Sequence, residues 1–468
     1  MPASKHQPPR FKTVQSFQTD YAPVKITQYE STRTGMRVAV IDRKGPKVEG
    51  EFALATEITD NSGAPHTLEH LVFMGSKSYR YTGLLDKLSS RAFSTTNAGT
   101  ATDYTSYSLK TAGWEGFSHI LPVYLEHLIV PTMTDAACYT EVHHIDGTGH
   151  DAGVVYSEMQ GRENTSGDLM ELHRRQLMYP EGNGFRSETG GMTKELRVLT
   201  ADRIRAYHKE MYQPKNLRVI ITGEIDHAEL LQILDDFEST IVDDVPTLEA
   251  PFRRPWVDSK PTPKLKENRV ETIRFPEEDE SMGEITVGWL GPSCNDSVAN
   301  AALAVILFYL ADSPISVLEN TLVEKEQLAS GIYYETETRP DVVIWFYLTA
   351  VETDKMNDVY KRLLEVLQEV ADKPLDMEYL HECLKRERRQ LKERAESSED
   401  FFTQPVIEDH LFGSRDGQHL KDLENLSELD VVEKWSEEQW KKAFRELFID
   451  NHHVSVLGMP SKIGRAHV

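Results

Sequence analysis

Val48, Gly50, Phe52, Leu54, Thr56 and Ile58 fall on one face of a period-two segment, which predicts a strand. The pattern then changes. Asn61-Ser-Gly-Ala-Pro65 supplies a cap and a proline suited to a first helical turn, and Leu71, Val72 and Phe73 continue an apolar run that Gly75 ends. A strand therefore feeds a short helix. Further on, Val154, Val155, Glu158 and Met159 keep helical spacing, placing a carboxylate on a mostly apolar face. Residues 244–268 hold Pro246, Pro251, Pro255, Pro261 and Pro263 among charges, the composition of a linker. Beyond it, Glu284–Trp289 and Val342–Leu348 read as strands, Ala301–Leu310 as an apolar helix, and 355–395 as helix charged on one side. Both halves end alike, with a helix and then a strand, over Leu199–Gly223 and over Leu426–Gly458. This predicts two similar α+β domains, 1–243 and 269–461, joined by the 244–268 linker.

The short helix carries the chemistry. His66-Thr-Leu-Glu-His70 sets two imidazoles four residues apart, so both rings lie on one helix face and can reach one ion. Glu69 stands beside the second ring. Zinc lowers the pKa of a bound water towards ~7, and a neighbouring base must take its proton during attack on a carbonyl. The order H-x-x-E-H is that of inverted zincins. Such a site needs a third protein ligand and one open position, and Glu158 is the candidate. The competing reading of Glu158 is a surface charge paired with Arg162 one turn on, an interaction worth only ~0.2–0.5 kcal/mol.

Three blocks, Gly63–Ser76, Asn97–Tyr107 and Gly153–Met159, resemble in content and order those of the pitrilysin/insulinase metallopeptidases, most of all the presequence-protease-like branch. The likeness continues through Ser187–Gly191, Tyr207-His208 and Asn216–Gly223. It implies zinc on His66, His70 and Glu158, with Glu69 as general base. It also implies a substrate-binding edge strand beginning at Asn97 and Ala98 and running through Gly99 and Thr100. Many relatives carry a second glutamate seven residues before the ligand glutamate. Asp151 stands there, one methylene shorter, as the candidate for orienting the ligands. Glu141, His143, His144 and His150 lack ligand spacing with the rest and read as a polar loop of structural or ligand-supporting groups rather than a separate metal site.

The second half has no H-x-x-E-H, and its helix at Ala301–Phe308 offers no ligands, so it reads as a non-catalytic copy. The resemblance implies two such domains per half-enzyme, only the first binding zinc, with a second half-enzyme closing over the first. That C-terminal half is the implied partner, and unfolded peptides are the implied substrates. A non-catalytic scaffold of the same fold is the rival reading. The final Lys462–Val468 matches a translated sequencing adapter, so it is set aside from the fold together with His467.

The net charge of −24 argues against nucleic-acid binding, and no basic stripe offsets it. No apolar run approaches the ~20 residues of a membrane span. Cys138, Cys294 and Cys383 are three in number and unpatterned, which suits a reducing compartment. The expectation is cytoplasmic, with a mitochondrial location as the alternative.

Overall fold

The computed structural model describes residues 9–398 and 400–462. Two compact units make up the chain, each built on one mixed sheet.

Among the described residues, the first unit comprises 9–160, 188–259 and 400–424. Its strands are β1 (Phe11–Gln18), β2 (Lys25–Ser31), β3 (Arg37–Asp42), β4 (Val48–Ala55), β5 (Ser94–Thr100), β6 (Tyr104–Thr111) and β9 (Leu217–Gly223), with a small hairpin of β7 (His144–Ile145) and β8 (Asp151–Ala152). The large sheet runs β1-β2-β3-β9-β4-β6-β5, so β5 is an edge strand. Helices α1 (Ala64–Val72), α2 (Leu84–Arg91), α3 (Trp114–Ile129), α4 (Asp135–Glu141) and α5 (Val154–Arg162) belong here. So do α7 (Thr193–Leu196), α8 (Ala201–Met211), α9 (His227–Ile241), α13 (Thr403–Leu411) and α14 (Gln418–Lys421). One sheet face packs Val38, Phe52, Leu54 and Val219 against Leu68, Leu71 and Phe117 of the helices. Gly50 belongs to that face because α3 comes close: a Cβ there would meet the Phe117 ring at 2.7 Å.

Among the described residues, the second unit comprises 161–187, 260–398 and 425–462. Its strands β10 (Arg269–Pro276), β11 (Met282–Ser293), β12 (Gly331–Glu337), β13 (Asp341–Glu352) and β14 (His453–Ser461) run β10-β14-β11-β13-β12. Its helices are α6 (Ser166–Met178), α10 (Ser297–Ala311), α11 (Met356–Asp372), α12 (Met377–Ser397), α15 (Ser427–Val432) and α16 (Glu437–Phe444). Trp289, Val287 and Phe346 pack there against Leu303, Leu307 and Leu363.

The two sheets share a plan. In the first, β3 is parallel to β9, and β4, β6 and β5 follow with antiparallel pairings. In the second, β10 is parallel to β14, and β11, β13 and β12 follow in the same senses. Each half thus repeats one five-stranded topology, and α10 occupies the connection that α1 occupies in the first.

The domain boundaries at 243 and 269 need correction. Residues 161–187 belong to the second unit because Leu169 and Met170 of α6 pack with Ile273, Phe275 and Val456 of that sheet. Residues 400–424 belong to the first, where α13 lies against β4 and β9. Nor is the proline-rich stretch a free linker as far as 259. Trp256 is 7% exposed and donates its indole N–H to the Thr56 and Asp103 carbonyls at 2.9 and 2.8 Å. Arg253 meets Glu57 at 2.7 Å. Of the tail set aside from the fold, only Lys462 is among the described residues.

Candidate metal centre

Gly63 opens α1 in the left-handed region, φ 72°, and Pro65 occupies the first turn. A side chain at Gly63 would meet the Gly190 carbonyl and the Gly191 Cα, each at 2.7 Å. Two glycine segments thus touch backbone to backbone, which brings the Gly190 carbonyl to His66. His66 Nδ1 lies 3.4 Å from that oxygen. Its Nε2 faces Glu158 Oε2 at 3.6 Å.

His70, one turn along, is arranged the same way. Its Nδ1 lies 3.4 Å from Glu141 Oε2 and its Nε2 lies 3.9 Å from Glu158 Oε2. Each ring can therefore donate Nδ1–H outward and turn an unprotonated Nε2 towards the other and towards Glu158. The ring centroids are 5.0 Å apart and nearly perpendicular, at 83°. The Glu141 hydrogen bond is the main cause holding the His70 pKa above its ordinary value, with Glu69 and Glu158 adding to it and burial opposing.

His66, His70 and Glu158 offer one ligand atom each within 4.8 Å of one another, the one such group of three or more among the described residues. The donor set suits zinc. Tetrahedral bonds of ~2.0–2.1 Å put ligand atoms roughly 3.3–3.4 Å apart, and the two ring-to-carboxylate separations, 3.6 and 3.9 Å, need close only slightly.

Glu69 does not join the triad. Its Oε2 accepts a hydrogen bond from the Thr100 hydroxyl at 2.6 Å. Its charge also reaches the buried Tyr107 and Tyr212, whose hydroxyls are 2.7 Å apart and whose pKa values are raised, chiefly by burial. Asn97, Ala98, Gly99 and Thr100 all lie on the edge strand β5, and the space beside Gly99 is open. Thr100 thus has a second contact that spacing did not reveal.

Asp151 is placed differently from the expectation. It bonds to Arg197 at 2.8 Å and to His143 at 2.7 Å, and these two hold its pKa down at about 2. Arg197 in turn donates to the Tyr156 hydroxyl at 2.7 Å. The carboxylate that meets a ring of the candidate triad is Glu141, at the end of α4, from the cluster read as a polar loop of structural or ligand-supporting groups.

Comparison with known proteins fits this geometry. Residues 55–150 match the family described as insulinase (peptidase family M16), and residues 199–387 match the peptidase M16 inactive domain. The chain belongs to peptidase family M16. An uncharacterised protein of Saccharomyces cerevisiae is 39% identical over 97% of this chain and 44% of its own length. A mitochondrial presequence protease of Xenopus tropicalis is 23% identical over 78% of this chain and 36% of its own length. The M16 fold is shared by a solved protease from Helicobacter pylori, with a TM-score of 0.75 at 19% identity, covering 97% of this chain and 100% of that one. The chain spans less than half the length of these two relatives matched by sequence. Among the described residues, no helix is long and apolar enough to cross a membrane.

Proposed function

We propose that this M16 chain is the zinc-binding portion of a metalloendopeptidase that cleaves unfolded peptides. The observation that carries the reading is the convergence of His66, His70 and Glu158, with Glu69 on the same helix outside the ligand set. Zinc held there would supply Lewis-acid polarisation of water and of the scissile carbonyl. The remaining work falls to the chain. Glu69 accepts the proton of the attacking water and passes it to the leaving amine, while Thr100 fixes which carboxylate oxygen is free to do so. The outer edge of β5 takes the peptide as an added strand through main-chain hydrogen bonds. A second half, beyond the residues of this chain, supplies the opposite wall. Cys138, Cys294 and Cys383, none of them in a disulfide, suit activity in the cytosol or another reducing compartment such as the mitochondrial matrix.

A scaffold of the same fold would not need a base beside three convergent ligands, so that reading is not favoured. Metal analysis tests the proposal: about one zinc per chain, lost in His66→Ala and retained in Glu69→Gln. Glu69→Gln in the longer protein should also lose at least ~100-fold in peptide hydrolysis. Folded protein that takes up no zinc would overturn the reading.

A further inference from the structure

Apart from the metal triad, a group of arginines gathers on the face of the first-unit sheet opposite the one that packs against α1 and α3, where α13 lies. Alternation along the strands turns Val38 and Val219 into the core and so turns Arg37 of β3 and Arg218 of β9 the other way. These two are register partners on neighbouring strands, which sets like charges side by side. Arg218 is 1% exposed. It donates from Nη2 to Gln28 Oε1, while its Nε and the Gln28 Nε2 have no protein partner.

Two more guanidinium groups meet at the end of α13, Arg415 from just beyond it and Arg254 from the proline-rich stretch. Arg415 donates to the His410 carbonyl from Nε at 2.9 Å and from Nη2 at 2.6 Å. Arg254 donates to the same carbonyl at 2.9 Å and to the Gly413 carbonyl at 2.7 Å, and its Nε too has no protein partner. His410 adds no charge: burial and the arginines hold its pKa well down, and its Nε2–H donates to the Asn216 carbonyl at 2.9 Å.

The negative side is thin. Arg37 has Glu30 at 3.2 Å. Among the described residues, no carboxylate forms an ion pair with Arg218, Arg254 or Arg415. The carboxylate whose field reaches all three is Asp409, 1% exposed, with an Oδ1 that accepts no hydrogen bond. The helix end adds roughly half a negative charge. Three guanidinium groups, Arg218 buried and Arg254 and Arg415 half-buried, stand against these and against Asp258 beside Arg254, an excess of roughly one positive charge that is costly wherever water is excluded. Burial and the neighbouring arginines push Arg218 and Arg254 down to about 10, the direction expected of cations short of counter-charge.

We propose that Arg218, Arg254 and Arg415 hold a small monovalent inorganic anion of the chloride class between β9 and the end of α13. The unpartnered donors, Arg218 Nε, Arg254 Nε and Gln28 Nε2, are few. They suit a single-atom ion better than an oxyanion with several acceptor oxygens to satisfy. The ion would tie residues 400–424 to the sheet whose opposite face packs against α1, the helix of His66 and His70.

The test is chloride titration of this chain at constant ionic strength against gluconate, read by thermal denaturation and by chloride-35 NMR line width. Ligand linkage predicts a midpoint that rises by a few degrees and saturates, with excess line broadening. Both effects should be lost in Arg218→Gln and persist after zinc chelation. Should Arg218→Gln fail to fold, Arg415→Gln decides by the same two readouts. A wild-type midpoint indifferent to chloride with no excess broadening overturns the proposal. So does an undiminished response in the folded variants, and a response to phosphate in place of chloride overturns the assignment of the ion's class.

Discussion

On the proposed zinc site, replacing Glu141 by Gln separates the carboxylate that would support a ligand from those that only neighbour it. In the structure Glu141 Oε2 is 3.4 Å from His70 Nδ1, and His70 turns Nε2 towards Glu158. The carboxylate fixes the tautomer that leaves Nε2 free for metal, and its charge makes the ring a better donor. Contacts of this kind are worth ~10–100-fold in metal affinity. The distance is longer than the usual 2.7–3.2 Å of an N–H···O bond, so the low end applies: about tenfold, or ~1.4 kcal/mol. Glutamine keeps an acceptor oxygen at the same length and removes only the charge. Competition against a chromophoric chelator on the folded chain would measure the change, with Asp151→Asn as the comparison. Asp151 is committed to Arg197 and His143, so its loss should leave zinc affinity within about twofold. Wild-type affinity in Glu141→Gln, or an equal loss in Asp151→Asn, would refute the reasoning.

Other outcomes follow from the same geometry. Thr100→Val should keep zinc but slow peptide hydrolysis about tenfold in the longer protein, the scale of a hydrogen bond to a charged group, and Thr100→Ser should restore it. Gly63→Ala should cost at least ~2 kcal/mol in denaturant midpoints and weaken zinc binding. Left-handed strain of ~1–2 kcal/mol adds there to a clash with the glycine pair that positions His66. Gly147→Ala, in open space, is the neutral control. Buried His208 has its pKa pushed down to about 4 by desolvation, below the ~6.5 of the unfolded chain. Its contribution to stability is therefore complete above pH ~6.5 and is lost as pH falls towards 4. Between pH 7.5 and pH 5, wild type should lose ~2 kcal/mol more than His208→Gln, measured by urea denaturation at both pH values. Equal losses would sink that assignment.

How legible the fold was depends on how local its causes are. The strand–helix passage from Val48 to Val72 is written in a change of period and a proline, and the structure places β4 and α1 there. The duplication was visible at the two domain ends because β9 and β14 are buried strands following a helix. The boundaries were not legible. Whether α6 belongs to the first or second sheet is decided by Leu169 and Met170 meeting Ile273, Phe275 and Val456, roughly a hundred residues or more away. Trp256, in a stretch whose prolines and charges suggest a linker, is held by carbonyls of Thr56 and Asp103, which no local pattern announces.

The site shows the same division at finer scale. His66, Glu69 and His70 share one helical turn, so their mutual placement follows from helix geometry. Glu158 needed a second helix, yet its apolar neighbours Val155 and Met159 bury one face of α5 and fix its rotation. Glu141 and Asp151 could not be told apart this way. Both lie at or beside a small hairpin, both have histidines nearby, and seven-residue spacing favours Asp151. What decides between them is Arg197, a residue 46 positions from Asp151, whose guanidinium takes that carboxylate in two hydrogen bonds and leaves the ligand ring to Glu141. A sequence signal did exist: Glu141 ends a helix capped by Thr134, a rigid mount, whereas Asp151 sits in a two-residue strand of a small hairpin. A carboxylate that must hold a metal-binding ring in one orientation is better carried by the helix, because its own position is then fixed before the ring arrives.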